Sequence, residues 1–75
     1  MEEPEGAGSE TPLEIAERHV RDGEARMERQ AEIVVQLIRG GHAEAAELAN
    51  DLLQLMGKSL ALAREHLRLE REISE

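Results

Sequence analysis

The sequence predicts an all-α fold: an antiparallel two-helix hairpin that pairs with a second copy into a four-helix bundle. Three observations lead there. Apolar residues recur at helical spacing through two long stretches, a Gly-Gly pair divides those stretches, and the second stretch carries more aliphatic surface than one neighbouring helix could cover.

The first ten residues, Met-Glu-Glu-Pro-Glu-Gly-Ala-Gly-Ser-Glu, combine Pro, two Gly and four like charges with almost no apolar content. Burial cannot offset their ordering entropy, so residues 1–10 are expected to form a disordered acidic tail and residues 11–75 the hairpin. Thr11-Pro12-Leu13-Glu14 then starts a helix, with a Thr cap, Pro at the first helical position and a Glu placed to complete a capping box.

From Leu13 the apolar or small positions Ala16, Val20, Gly23, Met27, Ala31, Val34 and Ile38 follow at steps of three and four, which keeps them on one helical stripe. Glu14–Arg18, Glu17–Arg21 and Asp22–Arg26 stand acid-first at i,i+4 on the remaining surface, the order that suits a solvated helix face. Gly23 sits in mid-helix, where Gly costs about 1 kcal/mol relative to Ala, so a close helix approach is expected there, with Gly57 at nearly the same level. Gln30 flanks the stripe, where a buried amide could fix register or a glutamine could equally stand partly solvated.

Arg39-Gly40-Gly41-His42 ends the pattern: a base in the last turn suits the helix dipole, and a following Gly can take the left-handed conformation that closes helices. The expected boundaries are a helix over about 12–39, a turn at 40–42 and a helix over about 43–73, each helix near 45 Å long at about 1.5 Å per residue. Two such helices joined so tightly lie antiparallel.

The second helix carries its polar residues Glu47, Asp51, Gln54, Lys58, Glu65 and Arg68 on one narrow seam. Beside it run two aliphatic rows. Ala45, Leu48, Leu52, Leu55, Leu62 and Leu69 form one; Ala46, Ala49, Leu53, Met56, Leu60, Ala63 and Leu67 form the other. A single partner helix covers a stripe of roughly 100°, so the excess marks an association surface. The expected interface comprises Leu48, Leu52, Leu53, Met56, Leu60, Ala63 and Leu67, covered by a second copy about a two-fold axis, or by a different protein in a heteromeric helical complex.

Composition narrows the function classes. The 75 residues carry a net charge of −8 and no Cys, Phe, Tyr or Trp. Disulfides, thiolate metal sites and base-stacking platforms are therefore excluded. Four of the 17 acidic residues lie in residues 1–10 without a base, leaving 13 against nine Lys and Arg in the body. That balance speaks against nucleic acid and anionic membranes as partners, and the absence of a signal segment or long apolar run makes a cytoplasmic location the expectation.

His19, His42 and His66 are the starting points for chemistry. A reversal at the glycines brings His19 within a turn of His66, with Asp22 and Glu70 nearby, so these four could converge on a divalent ion. Against that, no Glu-x-x-His pair occurs and arginines stand close to each carboxylate. With no serine beside a base and no phosphate-binding glycine loop, neither a catalytic constellation nor a cofactor is expected; His42 caps the second helix or faces solvent.

Glu65-His66-Leu67-Arg68 loosely resembles the His-Glu-Leu-Arg of histidine-kinase phosphoacceptor helices, with the acid on the other side of the His and no Thr-Pro after it. His19-Val20-x-x-Gly23-Glu24, Gln30, Gly41-His42 and Leu60-Ala61-Leu62 resemble small uncharacterised bacterial proteins that pair two amphipathic helices across a Gly-His turn. That resemblance covers about residues 19–68 and implies a hairpin with no established activity. The expectation is a non-enzymatic, self-associating interaction module.

Overall fold

A computed structural model describes residues 9–74. The tail expected over 1–10 lies outside the described residues except for Ser9 and Glu10. Two helices, α1 (Pro12–Arg39) and α2 (Ala43–Ser74), account for nearly all of the chain described, with no strand among those residues.

α1 begins where the capping box places it. Thr11 Oγ1 accepts a hydrogen bond from the Glu14 N–H at 3.1 Å, and the Thr11 N–H donates to Glu14 Oε1 at 2.9 Å, which satisfies two of the donors a helix start leaves open. Glu14 is thereby committed to the cap, and Arg18 turns instead towards Glu10, with Nε and Nη2 donating to its two carboxylate oxygens at 3.0 and 2.9 Å.

The reversal is a Schellman motif. The His42 N–H donates to the Leu37 carbonyl at 2.9 Å and the Gly41 N–H to the Ile38 carbonyl at 3.1 Å, while Gly41 takes φ +81°. Only glycine adopts that left-handed conformation without cost, which explains the second glycine of the pair. His42 is exposed, its ring lies over Gly40, and its carbonyl accepts the first hydrogen bond of α2 from Ala46 at 2.9 Å.

The helices pack along their length. Ala16, Val20, Leu60 and Leu67 form the buried cluster, with Leu13, Met27 and Ala63 against it, and Val34 and Ala46 are buried nearer the turn. Gly23 and Gly57 do not face each other. Each lies opposite a large side chain: a Cβ on Gly23 would stand 3.0 Å from Leu60 Cδ1, and one on Gly57 would stand 3.6 Å from Met27 Cε. Leu60 of α2 therefore fits over the missing side chain of α1, and Met27 of α1 over that of α2.

Gln30 crosses the interface, its Nε2 donating to the Ala49 carbonyl at 2.8 Å from a partly buried position, so this amide does tie the register of the two helices. Arg64 reaches Glu24 at 3.0 Å, but both side chains are half-exposed and such pairs are worth little. The shortest principal dimension is 13 Å, close to the roughly 10–12 Å diameter of one helix with side chains. The hairpin is thus a single layer, and no large side chain among the described residues is completely buried.

Candidate protein–protein interface

A two-helix layer buries one face of each helix, and α2 has apolar residues on two. The row containing Leu60 and Leu67 faces α1. The other row faces outward: Leu48, Leu55, Leu62 and Leu69 are 71, 61, 73 and 43% exposed, with Leu52 and Ile73 open beside them. The polar residues Glu47, Asp51, Gln54, Lys58, Glu65 and Arg68 are all exposed along one edge of that outward row.

This geometry divides the interface expected from sequence. Leu48 and Leu52 stand in the outward row as an association surface requires. Leu60 and Leu67 are buried in the hairpin, Leu53 borders a cleft with Met27 and Ala31, and Met56 and Ala63 border another with Gly23. Leu60, Leu67 and Ala63 thus belong to the core shared with α1, half-buried Leu53 and Met56 face the clefts beside it, and the outward row also holds Leu55, Leu62, Leu69 and Ile73. A signal for this division stood in the sequence. The hairpin-facing row contains Ala46, Ala49 and Ala63, with Gly57 beside it, small residues that let a neighbouring helix approach closely, whereas the other row repeats leucine every seven residues.

The histidine sites separate as well. His19 lines a shallow cleft of about 300 Å³ between the helices, together with Arg26 and Ser59. His66 sits on the outward row, where Nε2 lies 3.1 Å from Glu70 Oε2. Asp22 is exposed on α1. The four candidates His19, Asp22, His66 and Glu70 therefore do not form one donor set, and no group of three or more His, Asp or Glu among the described residues is placed to hold a metal ion. The physical reason is rotation about the helix axes: His19 turns into the cleft and His66 away from it. The His66–Glu70 pair alone offers two ligands where zinc sites take three or four from the protein.

Electrostatics on this surface are those of a solvated rim. Arg68 bonds both Glu65 and Glu72, and its hydrogen bond holds the Glu65 carboxyl below its ordinary pKa while raising that of the guanidinium. Arg18 does the same to Glu10 at the start of α1. Glu65, the acid beside His66 in the phosphoacceptor-like segment, is thus engaged by Arg68, and it is Glu70 that meets the imidazole.

No protein-family model, curated protein or solved structure matches the chain. Among the described residues, no helix is long and apolar enough to cross a membrane. The surface must be read from its own chemistry: a long aliphatic row, without aromatic anchors, edged by charges on exposed helix.

Proposed function

We propose that this chain is a non-enzymatic interaction module whose partner is a second copy of itself, the two hairpins forming a four-helix bundle through the outward row of α2. The observation that carries this reading is the exposure of Leu48, Leu55, Leu62 and Leu69 on the helix whose opposite face already fills the hairpin core. With Leu52 and Ile73 these side chains form one continuous exposed aliphatic row, the kind of patch that marks an association site. A 75-residue chain also needs such help, because one core of this size supplies only about 3–5 kcal/mol. The kinship expected with small bacterial helical-hairpin proteins belongs to the same reading and adds no activity to it.

Light scattering of the untagged protein across a dilution series tests the proposal. The expected result is twice the 8.4 kDa chain mass, falling to 8.4 kDa when Leu55→Glu and Leu62→Glu are combined. A well-folded monomer throughout the series, or an unchanged dimer mass in the double variant, would overturn it.

A further inference from the structure

The outward row of α2 keeps a strict seven-residue period. Leu48, Leu55, Leu62 and Leu69 repeat at one position, and Leu52, Ser59, His66 and Ile73 repeat between them, in alternating steps of four and three. A straight α-helix drifts by about 20° per seven residues against such a repeat, so the row stays aligned only with a partner helix wound around it in a left-handed supercoil. The leucines occupy what would be the d positions of that seam and the mixed set the a positions.

The two polar members decide the orientation. In a parallel pair in register, each position meets its own counterpart, so Ser59 faces Ser59 and His66 faces His66 of the second copy, and leucine meets leucine in five layers. In an antiparallel pair, a positions meet d positions, and every Ser59 and His66 would be set against leucine. Setting a hydroxyl or imidazole against leucine in the seam is costlier than setting it against its own counterpart, and polar a positions are known to set register in this way. The parallel register brings Glu65 towards Glu70 of the second copy. Each of those carboxylates already has its own cation-capable neighbour, Arg68 for Glu65 and His66 for Glu70.

We propose that two copies associate in parallel and in register through a two-stranded coiled coil of α2, with Ser59 and His66 as matched polar layers and one α1 helix on each outer flank. This rests on the self-association proposed above and fixes its geometry.

The chain has no cysteine, so single cysteines introduced at the two ends of the row report orientation directly. Leu48 and Ile73, which would face each other in an antiparallel pair, lie about 38 Å apart along α2, far beyond the roughly 7 Å that a disulfide can span between Cα atoms. Leu48→Cys and Ile73→Cys are prepared separately, shown by light scattering to be dimers when reduced, and then oxidised at micromolar concentration. In the parallel arrangement each variant cross-links to itself, at least about tenfold faster than a Glu47→Cys control on the polar edge, because the pair is held at high effective concentration. Cross-linking only in a mixture of the two variants would overturn the parallel register while leaving self-association intact. A reduced wild-type protein that is monomeric would remove self-association and the register with it.

Discussion

The two aliphatic faces of α2 are built from similar residues in different size patterns. The face against α1 alternates large with small: Leu60 lies over Gly23, Met27 lies over Gly57, and Ala46 and Ala63 leave room for the neighbouring helix. The outward face has leucine at every seventh residue and no complementary gaps within the same chain. Interlocking shapes suit a neighbour supplied by the same polypeptide at a fixed register, since the turn at Gly40–Gly41 already determines which residues meet. A repeating row suits a neighbour that must find its own register, which the polar breaks at Ser59 and His66 would set.

The largest expected effect separates the faces by truncation. Leu60→Ala removes a buried side chain from the central cluster, at a cost of about 2–5 kcal/mol, comparable with the whole stability of so small a core. The variant should lose cooperative urea unfolding and most of its helical circular dichroism at 25 °C. Leu62→Ala takes the same atoms from the outward face. It should leave the hairpin of a dilute sample within about 0.5 kcal/mol of wild type, while weakening association about tenfold or more. Equal losses of stability for the two variants at high dilution would break the distinction between the faces.

A smaller pair of effects sharpens the inner face alone. Gly23→Ala and Gly57→Ala each gain about 1 kcal/mol of intrinsic helix propensity. At Gly23 the new Cβ meets Leu60 Cδ1 at 3.0 Å, closer than ordinary carbon packing, so Leu60 must give way although it is held in the buried cluster. Overpacking of about 1–3 kcal/mol should outweigh the gain and lower the melting temperature. At Gly57 the nearest atom is the flexible Met27 Cε at 3.6 Å, an ordinary contact, so the gain should appear as a higher melting temperature. Stabilisation by both substitutions would show that Leu60 swings aside and that Gly23 is no close-packing device.

These contrasts also explain how much the sequence disclosed. The helix boundaries were legible because local chemistry sets them: Thr11, Pro12 and Glu14 at the start of α1, and Gly40–Gly41 at its end. Gln30 was legible only as a residue flanking the stripe, since the period gives its level but does not decide between a register tie and a partly solvated amide. The two rows of α2 were legible from the same period, but not which of them α1 takes. Counting apolar residues shows that the helix is over-supplied, but deciding which row α1 takes requires matching Gly23 to Leu60 and Met27 to Gly57 across the turn. The four metal-site candidates failed for a related reason. Sharing a level along the axis does not bring His19 and His66 together when their directions around the axes differ.

The smallest effect distinguishes the faces by pH. The hairpin-facing residues include no buried ionisable group, whereas Glu65 stands at the edge of the outward row, bonded to Arg68. That hydrogen bond places the folded pKa of Glu65 below its unfolded value of 4.5. The contribution of the pair is therefore complete above about pH 4.5 and disappears as pH falls through the lower, folded value. A carbon-detected NMR titration should give Glu65 a midpoint below 4.5, returning to it in Arg68→Gln. Both side chains are more than half exposed, so solvent screening keeps the energetic consequence slight, and helicity should change little while Glu65 titrates. A loss of helix coincident with that titration would mean that the rim of α2 helps hold the hairpin together, and that its two faces are less independent than their packing indicates.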